Sequence, residues 1–394
     1  MKKLMTAFLL CVILAPVRAL SPSVAADDGE SGVEQIRTAH YLILCDDGDA
    51  RETASEMEER FAVYNRLFRF DSTPSFLSSA GVPMTVRVFY DAEAYNEYVG
   101  SRLGSSRPGA VYLHYSQVGR RELVINRGGD EENSAIPYQA FIQFLRAFVS
   151  NPPAWMREGF AVFFSGLRYA RGALTYDEHL EWLETLKDMP APPSIEKILT
   201  ADSSGLPEDF PALAWSVVSF FLNSGNSEYM RTMIDCFMLL SDDKTGAENA
   251  ETLMQRITRW NNMEILAADY RQYLDSRKTF TWLMDEGQRA YAVQDYTGAE
   301  LAFLAAKNQR PSHFAPWYFL GLLAYEENNF EAAEQYYLAS LKLGADPALT
   351  AYALGLNAAG AGNRTQAEKY LREAVRIAPG RFKEKAETIL SRLN

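Results

Sequence analysis

Histidine and cysteine are scarce in this chain, whose 394 residues include four histidines and three cysteines. No two histidines are four residues apart, so there is no H-E-x-x-H motif, in which two helical histidines hold zinc. The sequence also lacks a C-x-x-C pair, a G-x-S-x-G nucleophile motif and a glycine-rich phosphate loop between a strand and a helix. These absences exclude the sites that such motifs indicate: a zinc site on one helix, a redox dithiol, a serine-hydrolase nucleophile and a nucleotide-phosphate loop.

Long apolar runs are missing everywhere except at the N-terminus. Residues 1–26 have the organisation of a secretory signal, with Lys2 and Lys3 before an apolar run at 4–17 and small residues at 24–26. No other run approaches the roughly 18 apolar residues that span a bilayer. The sequence therefore predicts an exported chain, periplasmic or extracellular, without a membrane span.

Cleavage there would leave a mature chain that begins near Asp27 and contains Cys45 and Cys236. Cys11 lies inside the apolar run rather than after it, which argues against a lipoprotein signal; a lipoprotein reading would tether the chain to a membrane. The two remaining cysteines could form one disulfide, but their apolar neighbours favour two buried free thiols.

Positive charge is in the minority. The formal net charge is −12, and loss of the three basic residues of the signal would make it −15. Nucleic acids and anionic lipid surfaces are therefore not expected as partners.

Alternating strands and helices are predicted between residues 37 and 126, followed by helices from 134 to about 276. The helical part is broken by a proline-rich link at 189–194 and a loop at 202–211. The strand and helix predictions that precede the helical part are His40–Cys45, Met84–Tyr90, Ala110–Tyr115 and Glu122–Asn126 for strands and Arg51–Phe68 for a helix. The fold class is thus an α+β domain followed by an all-α region.

A 34-residue repeat occupies the C-terminal third. It is marked by Gly287, Gly321 and Gly355 and, at the same spacing, by Ala299, Ala333 and Ala367. This is the tetratricopeptide pattern, in which each unit is a pair of antiparallel helices. The units are predicted at about 280–313, 314–347 and 348–381, and an amphipathic helix at 382–393 would cap the open end.

Earlier in the chain, Pro153, Trp155, Glu158 and Gly159 match the Pro-x-Trp-x-x-Glu-Gly pattern of a second active-site helix. In this the chain resembles the peptidase MA-like family of zinc peptidases, over residues 27–278. The resemblance implies that Glu158 stands where the family has its third zinc ligand.

The same resemblance puts Tyr138 and Ile142 at the two histidine positions and Gln139 at the general-base position. None of the three performs the family's chemistry at neutral pH, because tyrosine is a poor zinc ligand, isoleucine has no lone pair and glutamine accepts no proton. The implied domain is a pseudopeptidase with no cofactor and no metal. A capping or surface role explains Glu158 better than a functional one, with Tyr138 and Gln139 packing into the old cleft.

Two other readings remain open. One is a hydrolase with a rearranged site made of Glu158, His114 and Tyr138. The other is a structural element of the cell envelope, which an extensive apolar patch on the first domain would favour.

For the repeats, the resemblance implies a concave face lined by the first helix of each pair. That face would bind a protein or peptide, unless its tyrosines only pack between repeats. The residues expected on it, beside Met284, are Gln288, Tyr291, Tyr318, Leu322, Tyr325, Glu326, Tyr352 and Leu356.

Overall fold

The computed structural model describes residues 33–45, 49–70, 83–128, 135–170, 172–176, 178, 180–190, 193–260 and 262–392. The predicted signal at residues 1–26 lies outside them. The chain divides after Arg277 into two compact units. The first contains a small mixed sheet followed by a run of helices, and the second is all-helical. The fold class thus agrees with an α+β domain and an all-α repeat region.

The first unit is built on a five-stranded sheet. Its strands are β1 (Glu34–Arg37), β2 (Tyr41–Cys45), β3 (Met84–Phe89), β4 (Ala110–Leu113) and β5 (Glu122–Asn126). Their order in the sheet is β1-β2-β3-β5-β4, with β2, β3 and β5 parallel and the two edge strands antiparallel to their neighbours. The predicted strands agree with β2 to β5 within two residues at each end, whereas β1 was not predicted.

Two helices connect these strands, and they lie on opposite faces of the sheet. Helix α1 (Arg51–Phe68) contributes to the main core beside Ile43 and Val86, whose side chains point to one face. Helix α2 (Ala92–Leu103) covers part of the other face, where Tyr95 and Val99 form a smaller cluster with β3, β4 and β5 residues. Period-two alternation along the strands produces these two faces.

The helical part of the first unit packs on the α1 side of the sheet. Its helices are α3 (Ala135–Phe148), α4 (Ala154–Phe164), α5 (Glu181–Asp188), α6 (Ile195–Leu199), α7 (Phe210–Asn223), α8 (Ser227–Phe237), α9 (Gly246–Trp260) and α10 (Met263–Ser276). The sequence predicted nearly continuous helical structure from 134 to about 276, and it missed one element of strand. A two-stranded hairpin, β6 (Leu167–Ala170) and β7 (Ala173–Tyr176), separates α4 from α5, and Gly172 at φ 77° forms its turn.

Buried aromatic side chains dominate the main core. Phe68 contacts the rings of Phe141 and Phe160 at centroid distances of 5.5 and 5.0 Å, and it stacks on Phe237 at 4.2 Å. These contacts join α1, α3, α4 and α8, and they fix the relative positions of α3 and α4. Cys45 and Cys236 are both buried and do not form a disulfide with each other, in agreement with the prediction from their apolar neighbours.

The second unit consists of helix pairs followed by a last helix. The helices are α11 (Phe280–Ala292), α12 (Tyr296–Gln309), α13 (Phe314–Glu326), α14 (Phe330–Lys342), α15 (Pro347–Gly360), α16 (Arg364–Ile377) and α17 (Pro379–Arg392). In the last helix, Phe382 and Ala386 are buried, with Phe382 stacked on Tyr352 at 4.9 Å.

The repeated glycines mark where the two helices of a pair touch. A Cβ on Gly321 would come within 2.7 Å of the Tyr337 ring, and one on Gly355 within 2.7 Å of Leu371. Only glycine leaves room for these side chains. The first-pair counterpart, Phe303, packs on Gly287 and also stacks on Phe319 of the next pair at 4.8 Å, so it fills both gaps.

Among the described residues, no helix is both long enough and apolar enough to cross a bilayer.

Candidate functional site

Helices α3 and α4 contain the four positions that the sequence analysis compared with a zinc site: Tyr138, Gln139, Ile142 and Glu158. Gly159 sets how close α4 lies to α7, because a Cβ there would overlap the Ala214 carbonyl and approach a Val218 methyl at 2.8 Å. Trp155, fully buried, anchors the same helix. Together they hold Glu158, on the side of α4 that faces α3, in a fixed position.

Glu158 is engaged by two neighbours. The hydroxyl of Tyr138 on α3 donates a hydrogen bond to Oε2 of Glu158, and Arg157 donates from Nε to Oε1 at 2.7 Å. The carboxylate side chain is only 15% exposed. Burial, and then the charge of Glu158, raise the pKa of Tyr138 far above its ordinary value. Tyr138 therefore remains a hydrogen-bond donor across the physiological pH range.

Gln139 and Ile142 have different surroundings. The side-chain oxygen of Gln139 accepts a hydrogen bond from the backbone N–H of Tyr112 on the edge strand β4, at 3.1 Å. Ile142 is half-buried against the main core. Gln139 thus ties α3 to the sheet, and Ile142 contributes packing.

His114 lies next to β4. It contacts Tyr112, whereas Glu158 contacts Tyr138 and Arg157. The Nδ1 atom of His114 lies 3.4 Å from the Tyr112 hydroxyl. Burial, and then the positive charges of Arg146 and Arg121, lower the pKa of His114 to about 4. The imidazole is therefore neutral at pH 7, and within the described part of the chain no hydrogen bond joins it to Glu158 or Tyr138.

Arg146 was not singled out in the sequence, although it stands four residues after Ile142 on α3 and so lies on the same helical ridge as Tyr138. Its Nη1 donates to the Ser150 carbonyl at 3.0 Å. Burial, and then the neighbouring charge of Arg157, lower the pKa of Arg146. Both arginines line a cavity of about 580 Å³. The i, i+4 spacing from Tyr138 through Ile142 could have identified Arg146.

In the second unit, several expected binding residues form one cluster, which we call the tyrosine patch: Tyr291, Tyr318, Tyr325, Glu326 and Tyr337. The Tyr291 hydroxyl donates to Oε1 of Glu326 at 3.1 Å, which joins the first and second helix pairs. The Tyr318 and Tyr337 rings lie 5.6 Å apart. Burial, then the Glu326 carboxylate, raise the pKa of Tyr291 to about 12.

Tyr337 is the member of the patch that the sequence did not assign to it. Its side chain is 1% exposed. This burial, and then the electrostatic effects of Tyr318, Tyr291 and Tyr325, raise the pKa of Tyr337 far above the ordinary value. Tyr337 packs in one hydrophobic cluster with Tyr318 and Tyr325. Its position in the second helix of a pair, against Gly321, concealed it from a reading based on first helices alone.

The other expected binding residues lie around the patch or away from it. Gln288 is exposed, while Leu322 and Leu356 are half-buried. Tyr352 stacks on Phe382 of the last helix, so part of its surface serves packing. Met284 was wrongly expected on this face, because it is 7% exposed and belongs to the core of the first pair.

Within the described ranges, no group of three or more histidine, cysteine, aspartate or glutamate side chains is arranged to hold a metal ion.

Comparison with known proteins supports the repeat region. A family model described as tetratricopeptide repeat matches residues 315–346, which cover α13, α14 and the turn after them. A search of curated proteins returns no match. The resemblance to the peptidase MA-like family is not supported by a family match. The chain therefore contains a tetratricopeptide repeat within a C-terminal helical repeat region, and such repeats imply protein partners.

Proposed function

We propose that the chain is an exported scaffold protein that captures a peptide or a helix of a partner on its tyrosine patch. The observation that carries this proposal is the cluster of Tyr291, Tyr318, Tyr325 and Tyr337 beside Glu326, in a unit that contains a tetratricopeptide repeat. Phenol rings offer apolar area at a low entropic cost, and their hydroxyls bind the polar groups of an incoming backbone.

Half-burial of three tyrosines in the patch supports binding over a purely internal role. Tyr291, Tyr318 and Tyr325 are neither fully buried nor fully exposed, so each keeps part of its ring accessible. Burial raises the pKa of Tyr318 as well as that of Tyr291, which keeps both hydroxyls protonated and able to donate at neutral pH. Side chains of this kind are typical of the central residues of protein interfaces.

For the first unit we propose a degenerate peptidase-like domain that serves as a scaffold. Tyr138 and Gln139, at the positions of a ligand and of the general base, use their polar groups to bind Glu158 and the Tyr112 N–H. In the alternative hydrolase, His114 would have to act with Glu158. The partners of these two groups differ, since His114 contacts Tyr112 and Glu158 contacts Tyr138 and Arg157. The scaffold role is therefore the better supported of the two.

A displayed library of random peptides, selected on the immobilised chain from Asp27 onward, tests the binding role. We expect enrichment of a sequence family on the native protein and its loss on the Tyr291→Ala, Tyr325→Ala double variant. The matched control is Tyr370→Ala, because Tyr370 is also half-buried in the repeats but does not belong to the patch.

Equal enrichment on the native chain and on the double variant would overturn the assignment of the patch. Circular dichroism and a melting curve of each variant establish that its helices are intact. Zinc content of the same preparation, measured by elemental mass spectrometry without a metal-affinity tag, tests the first unit. Near-stoichiometric zinc that is lost in Glu158→Ala would replace the scaffold proposal for that unit by a hydrolase.

A further inference from the structure

Four arginines surround a cavity on the face of the sheet that is turned away from the main core. The cavity has a volume of about 300 Å³. Its charged lining consists of Arg87, Arg102, Arg120, Arg121 and Glu122, so positive charges exceed negative ones by three. We propose that this cavity is a binding site for a small molecule that bears a phosphate group. It shares no residue with the tyrosine patch or with the Tyr138–Glu158 pair.

Glu122 organises one side of the site. It begins β5, and its side chain is 11% exposed. The Tyr98 hydroxyl donates to Oε1 at 2.6 Å, and Arg87 donates from Nε to Oε2 at 3.3 Å. Arg102 reaches within 3.8 Å of Oε1. One buried carboxylate is thus shared by two guanidinium groups, and it fixes both of them at the cavity wall.

Tyr98 reinforces this arrangement from α2. The guanidinium carbon of Arg102 lies 3.3 Å from the centre of the Tyr98 ring, and that of Arg87 lies 5.0 Å from it. Stacking on an aromatic face orients a guanidinium and limits its motion. The two arginines are therefore held in place before any ligand arrives, which lowers the entropic cost of binding.

Arg120 and Arg121 supply two of the three positive charges that Glu122 does not balance. Arg121 donates from Nε to the Tyr115 carbonyl at 2.7 Å, and Arg120 lies over the Tyr115 ring at 4.9 Å. Neither forms an ion pair with another residue that the structure describes. Their backbone belongs to a short 3₁₀ turn, Val118–Arg120, and to the residue that follows it. The turn thus adds two cations to the lining of the cavity.

The charge and the size of the cavity together select the ligand class. A phosphate monoester carries close to two negative charges at pH 7 and offers several acceptor oxygens, which suits forked guanidinium donors. Leu42 and Leu44 line the apolar side of the cavity, on the strand β2. A volume of about 300 Å³ lies at the lower end of the range for small-molecule sites, so the occupant is a compact phosphorylated molecule with an apolar body.

Isothermal titration of the chain from Asp27 onward with inorganic phosphate and with phenyl phosphate tests this assignment. We expect both probes to bind, phenyl phosphate more tightly because its ring contacts the leucines. Arg120→Gln and Arg121→Gln should each weaken binding by roughly tenfold, the effect of losing one charge-assisted contact. Arg271→Gln is the matched control, since Arg271 is exposed and, among the residues that the structure describes, its side chain bonds only to the Ala267 carbonyl.

Two results would overturn the proposal. One is that neither probe gives a heat of binding at concentrations well above about 1 mM. The other is that the native chain, Arg120→Gln and Arg271→Gln bind the probes with equal affinity. The phosphate group would then be attracted to arginines anywhere on the surface and not to this cavity. Arg120 is exposed, so its variant decides the question even if loss of the Arg121 contact with Tyr115 unfolds the loop.

Discussion

The hydroxyl of Tyr138 donates a hydrogen bond to Glu158 and so links α3 to α4. The two residues stand at positions where the peptidase MA-like family, which the sequence resembles, has zinc ligands. Because the acceptor is a buried carboxylate, the bond is charge-assisted. Tyr138→Phe leaves the ring in place and removes only the donor. We expect the free energy of unfolding to fall by about 1.5–3 kcal/mol, measured by urea denaturation at pH 7.

The double variant Tyr138→Phe, Glu158→Gln separates the contact from its surroundings. If the two residues interact directly, their combined effect is smaller than the sum of the single effects. If the losses in unfolding free energy of the two single variants simply add in the double variant, the link between the helices is contradicted.

His114 should titrate well below the ordinary histidine value of 6.5. Burial and then the charges of Arg146 and Arg121 lower its pKa to about 4. Arg146→Gln removes one of these charges, so we expect the pKa of His114 to rise, as followed by its ring-proton chemical shifts between pH 3 and 8. Arg271→Gln, distant from these groups in the sequence, should leave the titration unchanged. An unshifted pKa in Arg146→Gln would show that Arg146 does not act on the ring.

A buried charge cluster supports the interior of the first unit. Arg60, 2% exposed, donates to Glu56 from Nε at 2.9 Å and from Nη2 at 2.6 Å, and Arg127 bonds the same carboxylate. Loss of one partner leaves a buried charge uncompensated, so Glu56→Gln should lower the free energy of unfolding by about 3–5 kcal/mol. The exposed pair of Glu228 with Arg231 offers the comparison, since Glu228→Gln should cost less than about 1 kcal/mol.

The same cluster makes stability depend on pH. Burial alone would raise the pKa of Glu56, but Arg60 and Arg127 hold it below the ordinary value of 4.5. The contribution of Glu56 is therefore complete above pH 4.5 and is lost as the pH falls through the lower folded-state value. In Glu56→Gln, the melting temperature should change less between pH 5 and 3 than in the native chain. An identical acid response of both proteins would contradict this account.

Gly321 tests the close contact within the second helix pair. Gly321→Ala puts a methyl group against the Tyr337 ring, and we expect a loss of about 1–3 kcal/mol in unfolding free energy despite the better helix propensity of alanine. Gly380→Ala is the control, because a Cβ there meets nothing within 4 Å. That variant should be neutral or more stable by about 1 kcal/mol at most. Two variants of equal stability would show that the pair does not need the glycine.

Local sequence patterns predicted most of the fold. The 34-residue spacing of Gly287, Gly321 and Gly355 reflects a contact that recurs in each helix pair. The repeat could therefore be predicted from the sequence alone. The strands β2 and β3 were predicted from short segments rich in apolar residues, HYLILC and MTVRVFY. The hairpin of β6 and β7 was not predicted. Although Ser165-Gly166 ends the preceding helix, strands of only four residues depend on their partner more than on their own sequence.

The candidate sites were less accessible to sequence reasoning. The pairing of Tyr138 with Glu158 joins residues twenty positions apart, and only the crossing of two helices brings them together. The arginine cavity draws on β2, β3, α2 and the turn before β5, so no local motif contains it. Sites of this kind arise from tertiary packing and become visible only in three dimensions.

The bond between Gln139 and the Tyr112 N–H has a consequence for β4, which is an edge strand of the sheet among the residues that the structure describes. An edge strand with open amides recruits strands from other molecules and so promotes aggregation. Here one outward amide already has an acceptor within the chain. An extended peptide that sought to lengthen the sheet at this edge would first have to displace Gln139, and the protein thereby protects its own edge against self-association.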